Sequence, residues 1–274
     1  RKIVIDNGTV TTLAGTGSSG SANGTGTDAS FVSPIGITTD GTNLYVVEYS
    51  GHRIRKIVIS TGVVTTLAGT GSTGSANGTG TDASFYNPLD ITTDGTNLYL
   101  ADGSNNLVRQ IVIDNGTVTT LAGTGSSGSA NGTGTAASFN RPWGITTDGT
   151  NLYVSEFNGH RIRKIVISTG VVTTLAGTGS SGSANGTGTD ASFSGPMGIT
   201  TDGTNIYAAE YSGHRIRKIV ISTGEVTTLA GSGSGGSTNG TGTDASFNSS
   251  GGVTTDGTNL YISDTNNFLI RKVK

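Results

Sequence analysis

Three histidines stand at equivalent places in a repeating sequence and are the residues best suited to hold a metal ion. His52, His160 and His214 each follow a glycine and precede an arginine. Three imidazoles that converge on one point could bind zinc. The neighbouring arginines disfavour a dication, and the alternative is that each histidine caps a turn or packs between repeats. We therefore predict that the chain has no metal site. If a metal site did exist, these three histidines would be its candidate ligands.

Acidic residues lie four positions before each histidine or its equivalent, and arginines follow it. The acidic residues are Glu48, Asp102, Glu156, Glu210 and Asp264, and the arginines are Arg53, Arg55, Arg161, Arg163, Arg215 and Arg217. Repeated pairs of this kind are more often architectural than catalytic. No Ser/His/Asp or paired-carboxylate arrangement can be placed by spacing. We expect no catalytic residue and no cofactor.

The repeats differ from one another in two short windows, which makes these windows candidates for ligand binding. One window leads into the first strand of each repeat, and the other follows the second strand. The candidate contacts are Ile35, Tyr49, Tyr86, Leu89, Asn140, Arg141, Trp143, Phe157, Met197 and Tyr211. Aromatic platforms suit sugars, peptides and other flat ligands. The alternative is neutral drift in loops that tolerate change.

The element that must position these residues is a strand–turn–strand unit that returns every 54 residues. It is Pro34–Tyr45, and it recurs as Pro88–Tyr99, Pro142–Tyr153, Pro196–Tyr207 and, without proline, Ser250–Tyr261. An Asp-Gly dipeptide in its centre is typical of a hairpin turn, because glycine accepts positive φ. A fixed period that contains strands is typical of a propeller or a solenoid.

A full repeat predicts four short antiparallel strands, which make one propeller blade. In the first repeat they are strand A, Ile35–Thr39; B, Leu44–Glu48; C, Arg53–Ile59; and D, Val63–Ala68. A Gly/Ser/Asn/Thr loop, 69–84, then leads to the next strand A. Because strands alternate in direction, the D–A loops and B–C connections should share one face, around the mouth of a central channel. Both variable windows belong to these connections.

The fold predicted from this pattern is an all-β, five-bladed propeller with four antiparallel strands per blade. The chain of 274 residues is expected to form a single domain, 1–274. The predicted blades are 31–84, 85–138, 139–192, 193–246, and 247–274 together with 1–30. Strands from both termini are expected to close the last blade and remove an exposed edge. Arg1–Val4 and Arg271–Lys274 both fit the same place in strand C, and we expect the C-terminal copy to hold that place.

Composition limits the partners of the chain. The net charge is −2, which disfavours nucleic acid, and no run of 18 apolar residues exists to span a membrane. Cysteine is absent, so no disulfide framework exists. We expect a monomer, and the composition weakly favours a bacterial extracellular or periplasmic location. The sequence starts within a repeat, so we expect it to come from a longer protein.

The motifs resemble NHL repeats of the bacterial type. Pro34-Ile-Gly-Ile is followed by Asp40-Gly and Leu44-Tyr-Val, and later by Gly51-His-Arg-Ile-Arg-Lys-Ile. The likeness covers the whole chain and implies a β-propeller, most often of six blades in this family. Family members include RNA-binding modules, protein-interaction scaffolds and a metal-dependent lyase. The resemblance therefore implies a fold and does not choose a function.

The leading functional prediction is a non-enzymatic binding module that presents its variable loops to an unknown ligand, either a carbohydrate, a peptide or a protein. The alternative is a metal-dependent lyase or hydrolase with a site in the central channel. A third interpretation is a symmetric scaffold, recently amplified or designed, with no evolved ligand.

Overall fold

Five antiparallel sheets, one for each repeat, make the chain an all-β protein with a five-bladed β-propeller fold. The structure is a computed structural model that describes residues 1–3 and 6–274. Seven 3-10 helices of three residues each connect the strands: Gly26–Asp28, Gly80–Asp82, Gly103–Asn105, Gly134–Ala136, Gly188–Asp190, Gly242–Asp244 and Thr265–Asn267. None of the helices in these described ranges has the length and apolar character needed to cross a membrane.

The first four sheets contain strands A to D in sequential antiparallel order, with an added short strand beside D. In sheet one they are Pro34–Thr39, Asn43–Glu48, Arg53–Val58, Val63–Ala68 and the added Gly24–Thr25. In sheet two they are Asp90–Thr93, Asn97–Asp102, Leu107–Val112, Thr117–Ala122 and Gly78–Thr79. In sheet three they are Pro142–Thr147, Asn151–Glu156, Arg161–Val166, Val171–Ala176 and Gly132–Thr133. In sheet four they are Pro196–Thr201, Asn205–Glu210, Arg215–Val220, Glu225–Ala230 and Gly186–Thr187.

The added strand corrects the prediction of four strands in these blades. It lies within the Gly/Ser-rich segment, which the sequence predicts to be a loop without regular structure. Gly24 and Thr25 pair with Val64 and Val63 of strand D. The chain can turn back here because Gly26 has a φ of 57°, and its N–H donates to the carbonyl of Gly62 at 2.9 Å. Glycine takes this left-handed conformation at no steric cost.

Sheet five has three strands, Ser250–Thr255, Leu260–Asp264 and Leu269–Val273. The N-terminal strands Lys2–Ile3 and Val10–Thr11 form a separate two-stranded sheet. The predicted blade from both termini is therefore not one hydrogen-bonded sheet among the described strands. Of the predicted strand Arg1–Ile5, the last two residues lie outside the described ranges.

The N-terminal copy of strand C, not the C-terminal one, pairs with the N-terminal strand D sequence. Lys2 lies opposite Thr11 and Ile3 opposite Val10, which is the register of strands C and D in sheet one. The C-terminal copy keeps the strand C position of sheet five, as expected, because Leu269–Val273 pairs there with Leu260–Asp264. Only six residues of sequence lie between the two N-terminal strands, and a short connection costs little closure entropy.

The chain divides into two compact units. The first comprises Arg1–Asn105 and Arg109–Thr120, and the second Asn106–Val108 and Leu121–Lys274. The predicted single domain, its ring closure and its monomeric state stay predictions.

Within the first unit, sheets one and two pack face to face. Tyr45 and Ile54 of sheet one form a buried cluster with Phe85 and Leu98 of the second repeat. Ile57, on the other side of strand C, is buried in a different cluster. Both faces of this strand are therefore covered, as a stacked blade requires. Burial of each large apolar side chain contributes about 1.5–3 kcal/mol.

The second unit has two such cores. Ile162 of sheet three lies in one cluster with Phe193 and Ile206 of the fourth repeat. Ile216 of sheet four lies in another with Phe247 and Ile262 of the fifth. Sheets three, four and five are therefore stacked in sequence order by apolar contacts.

The A–B turn is held by its aspartate in every repeat, as the Asp-Gly dipeptide predicts. In the first repeat, Asp40 Oδ1 accepts the N–H groups of Thr42 and Asn43 at 2.8 and 2.6 Å. The hydroxyl of Tyr45 donates to Oδ2 at 2.7 Å. Burial opposes ionisation, but the hydrogen bonds from Asn43, Tyr45 and Thr42 outweigh it and lower the pKa of Asp40. The turn therefore favours an ionised carboxylate.

Candidate ligand-binding site

A buried ion pair anchors the D–A loop of each repeat. In the third repeat, Arg163 Nη1 donates to Glu156 Oε1 at 3.2 Å, and Oε1 also accepts the N–H of Asn140 at 2.9 Å. Arg163 Nη2 reaches the carbonyl of Ala130, and the guanidinium lies 5.3 Å from the ring of Phe139. Every repeat has the pair: Glu48–Arg55, Asp102–Arg109, Glu156–Arg163, Glu210–Arg217 and Asp264–Arg271. The predicted architectural role of these charges is confirmed.

The arginine that follows each histidine is not part of this pair. Arg161 donates to the carbonyl of Gly159 at 3.1 Å and to that of Thr178 at 3.0 Å. It therefore holds the B–C turn against the loop that follows strand D. The set of paired arginines is complete in all five repeats, because it uses the Arg55 position and not the Arg53 position.

Each of the three histidines accepts a hydrogen bond from a backbone N–H of the next repeat. The Nδ1 atom of His52 accepts the N–H of Asn87 at 3.2 Å, and that of His160 accepts the N–H of Gly195 at 3.1 Å. His214 accepts from Ser249 at 3.0 Å in the same way. The interpretation of the histidines as structural turn residues is confirmed.

This role uses the neutral imidazole. Burial lowers the pKa of His52 and of His160, and the charge of the adjacent arginine lowers it further. A protonated Nδ1 could not accept the backbone N–H. Within residues 1–3 and 6–274, no group of three or more His, Cys, Asp or Glu is placed to hold a metal ion.

The second unit brings four of the predicted contact residues together in what we call the aromatic shelf: Arg141, Trp143, Phe157 and Tyr211. The rings of Trp143 and Phe157 are 5.2 Å apart, and those of Phe157 and Tyr211 are 6.3 Å apart. The guanidinium of Arg141 lies 5.1 Å from the ring of Trp143 and 5.6 Å from that of Phe157. All four side chains are half-buried. Each ring therefore has part of its surface available to a ligand.

Backbone contacts fix the elements that carry the shelf. Phe157, in the B–C connection, donates its N–H to the carbonyl of Arg141 in the D–A loop at 3.1 Å. Trp143 stands in strand A, where the pairing register shifts between Pro142 and Ile145. The local prediction that a D–A loop and a B–C connection lie together is therefore confirmed within this unit.

Arg141 is held in a conformation that a large side chain seldom adopts. Its φ is 56°, and its N–H donates to the Oδ1 atom of Asn106 at 2.9 Å. The equivalent residues are smaller: Ser33, Asn87, Gly195 and Ser249. Positive φ is uncommon for a bulky residue, and strain of this kind occurs at functional sites.

Two further predicted contacts of this unit lie near the shelf but serve the backbone. Asn140 is half-buried and gives its N–H to Glu156, as described above. Met197 is also half-buried, and its carbonyl accepts the hydroxyl of Ser155 at 2.5 Å. Their contact with a ligand stays a prediction.

In the first unit the predicted contacts do not form an equivalent cluster. Tyr86 is 42% exposed, and its ring lies edge-on to His52 at a centroid distance of 6.1 Å. Ile35 is 49% exposed, and Tyr49 is half-buried and donates its N–H to the carbonyl of Ser33. Leu89 is only 3% exposed, so its prediction as a surface contact is wrong. Its backbone is closely enclosed, because its N–H pairs with the carbonyl of Ala101 and a Cβ added at Gly36 of sheet one would lie 2.9 Å from its carbonyl oxygen.

Sequence reasoning missed two asparagines that shape these loops. Asn106 takes the place of a histidine in the second repeat and supplies the acceptor for Arg141. Asn105 donates its side-chain amide to Asp102 at 2.8 Å. The sequence does contain a signal for Asn105. A repeat whose buried acid is Asp has Asn three residues later, and a repeat whose buried acid is Glu has Gly there.

Comparison with known proteins gives relatives along nearly the whole chain. No family model matches. Protein SUPPRESSOR OF QUENCHING 1, chloroplastic, of Arabidopsis thaliana is 29% identical over 282 residues, which is 95% of this chain and 27% of that protein. NHL repeat-containing protein 2 of Homo sapiens is 26% identical over 308 residues, which is 98% of this chain and 42% of that protein. The chain therefore spans less than half of either relative.

Solved structures show the same fold at low sequence identity. A chain in the crystal structure of a nidogen/laminin complex has a TM-score of 0.62 at 19% identity, covering 88% of this chain and 75% of that one. An auxiliary nutrient binding protein from Bacteroides ovatus has a TM-score of 0.58 at 18% identity, covering 96% and 76%. The five antiparallel sheets and these neighbours define a β-propeller fold. In its repeat motifs and its curated relatives, the chain is similar to NHL repeat-containing proteins.

Proposed function

We propose that this protein is a non-enzymatic binding module, and that the aromatic shelf binds a saccharide. The observation that carries the proposal is the shelf itself: three rings from two successive repeats lie 5.2 and 6.3 Å apart beside an arginine. Aromatic faces stack on flat, partly apolar ligands and orient them. A rigid scaffold with variable loops is how many recognition surfaces are built.

The comparisons support a binding role in a general way. The similar solved structures include an auxiliary nutrient binding protein, and a protein complex is among them. A protein partner for this chain would be the second candidate, and the laminin-complex neighbour favours it. The extracellular or periplasmic location and the expected lack of nucleic-acid binding stay predictions.

A metal-dependent lyase or hydrolase has less support from the site. Its ligands would have to be His52, His160 and His214, whose Nδ1 atoms already accept backbone N–H groups. The carboxylates four positions before them are engaged with buried arginines. The residues that such an enzyme would use are thus occupied in holding loops.

Trp143 makes the proposal easy to test, because it is the only tryptophan in the chain. A glycan array should first identify a bound saccharide. The variant Trp143→Ala should then lose roughly fivefold or more in affinity, since contact with an aromatic face contributes about 1 kcal/mol or more. Tyr86→Ala is the matched control, because Tyr86 lies in the other unit, and its affinity should not change. Binding that survives Trp143→Ala unchanged would place the site elsewhere.

A further inference from the structure

We propose that the aromatic shelf selects acidic saccharides, with the guanidinium of Arg141 pairing with the carboxylate of a uronic acid residue. This inference rests on the proposed function of the shelf and adds the charge of its ligand.

Arg141 differs from the other arginines that hold the repeats together. Five arginines form the buried ion pairs, and the Arg53-type arginines donate to backbone carbonyls. Among residues 1–3 and 6–274, Arg141 belongs to none of the ion pairs, and its side chain donates no hydrogen bond to another residue. Its guanidinium instead lies over the rings of Trp143 and Phe157. Its donors therefore stay available to a ligand.

The backbone adds an independent reason to assign Arg141 a function. The loop position demands a left-handed residue, with φ at 56°, and the other four repeats fill it with Ser, Asn or Gly. A long side chain at this position gains nothing for the turn. It does place a cation on the aromatic shelf, which indicates that the charge is the useful feature.

The chemistry of the shelf fits a carboxylated sugar. A guanidinium presents a planar fork that matches a carboxylate with two parallel hydrogen bonds. The neighbouring rings can contact the apolar face of the same sugar ring or of the next one. A single arginine on a chain of net charge −2 is too little for a nucleic-acid backbone, which requires several phosphate contacts. An acidic oligosaccharide satisfies both parts of the shelf.

The experiment compares two ligands with the same sugar rings, one with free carboxylates and one with methyl esters in their place. Calorimetric titration with an oligogalacturonide and with its fully methyl-esterified form offers the same sugar rings with and without carboxylates. We expect the esterified form to bind roughly tenfold to hundredfold more weakly, because a hydrogen bond to a charged group contributes about 1.5–3 kcal/mol. Arg141→Ser should remove this difference, and it introduces the residue that the first repeat carries at the same position. A sulfated oligosaccharide tests whether the anion must be a carboxylate.

The outcomes separate this inference from the proposed function. Equal affinity for both forms, unchanged in Arg141→Ser, would overturn the charge preference and leave the shelf as a binding site for neutral sugars. Stronger binding of the sulfated sugar would overturn the carboxylate assignment. Binding of neither galacturonide form, with no other acidic glycan bound on the array, would also overturn it. An array with no bound glycan would overturn both. If Arg141→Ser fails to fold, the comparison of the two ligands on the unaltered protein still decides.

Discussion

At the scale of single residues, the buried acid in each repeat is matched to the residue three positions later. Glu156 is followed by Gly159, where an added Cβ would lie 2.7 Å from the Oε2 atom of Glu156. The shorter Asp102 is followed by Asn105, whose amide fills that space and donates to Oδ2. The long acid with glycine and the short acid with asparagine therefore fill the same space in the loop.

This matching predicts a strong coupling between the two positions. Asp102→Glu should destabilise the protein by about 1–3 kcal/mol, because the longer side chain meets Asn105 in a full interior. Adding Asn105→Gly should restore most of the loss, since the pair then copies the third repeat. Urea unfolding of the single and double variants measures the coupling. Additive losses in the double variant would contradict the account.

At the scale of elements, the histidine in the B–C connection predicts a pH-dependent stability. In the folded state the pKa of His160 is lowered, because burial and Arg161 disfavour the cation. As the pH falls below the pKa of the unfolded state, about 6.5, the unfolded chain binds more protons than the folded one. The stabilisation is therefore complete above that pH and is lost as the pH falls through the lower pKa of the folded state. Asparagine offers the same acceptor without a titrating group, as Asn106 does in the second repeat.

The variant His160→Asn should therefore keep its stability at pH 7.5 and lose less of it on acidification. The free energy of unfolding, measured in urea at pH 7.5 and pH 5.5, checks this expectation. The second shifted histidine, His52, remains in the variant, so the dependence should weaken and not vanish. An identical pH dependence in both proteins would show that His160 does not act through its neutral ring.

The A–B turn predicts a second, more acidic transition. Burial raises the pKa of Asp148 in the folded state, but hydrogen bonds from Asn151, Thr150 and Tyr153 outweigh this effect and lower the pKa. Its contribution is therefore present above about pH 4 and is lost as the pH falls through the folded-state value. Asp148→Asn should destabilise the protein at pH 7 and have much less effect at pH 2. Equal destabilisation at both pH values, measured by chemical denaturation, would argue against an ionised turn.

The sequence predicts the hairpin elements well because their causes are local. The Asp-Gly turns, the β-branched strands and the position of Trp143 beside a B–C connection all follow from spacing within one repeat. The short strand Gly24–Thr25 could not be predicted, because its pairing with Val63 and Val64 depends on a loop that returns to a distant strand. The burial of Leu89 could not be predicted for a similar reason, since strand A of the preceding repeat approaches its backbone closely.

At the scale of the whole molecule, close backbone contacts join the stacked sheets of the second unit. A Cβ added at Gly198 of sheet four would lie 2.7 Å from the carbonyl oxygen of Gly251 in sheet five. A Cβ at Gly144 would meet the carbonyl oxygen of Met197 in the same way. Glycine at this position of strand A therefore lets successive sheets approach each other.

Gly198→Ala should destabilise the protein by about 1–3 kcal/mol, because backbone atoms cannot move aside as a side chain can. The matched control is Gly251→Ala, whose new Cβ would meet the side chains of Thr265 and Ser263 and no backbone atom. It should cost clearly less. Thermal and urea unfolding of both variants measure the difference, and equal losses would contradict close backbone packing as the cause.

The number of repeats could be read from the sequence, but the arrangement of the chain ends could not. The segments that begin at Arg1 and Arg271 share their first two residues, and both fit the strand C position of a repeat, so the repeat pattern gives no reason to prefer one copy. The N-terminal copy pairs with the strand that follows it because the two are close along the chain. The C-terminal copy likewise pairs with the strand that precedes it, so chain connectivity, which a repeat pattern does not encode, decides where each copy lies.

The most direct test of the central claim, that the aromatic shelf binds ligand, uses the fluorescence of Trp143. As the only tryptophan, it reports on the shelf and on no other surface. A saccharide that binds the protein should change its emission in a saturable way, with a midpoint equal to the calorimetric dissociation constant. Calorimetric binding with no change in the emission of Trp143, and with equal affinity in Trp143→Ala, would contradict the claim.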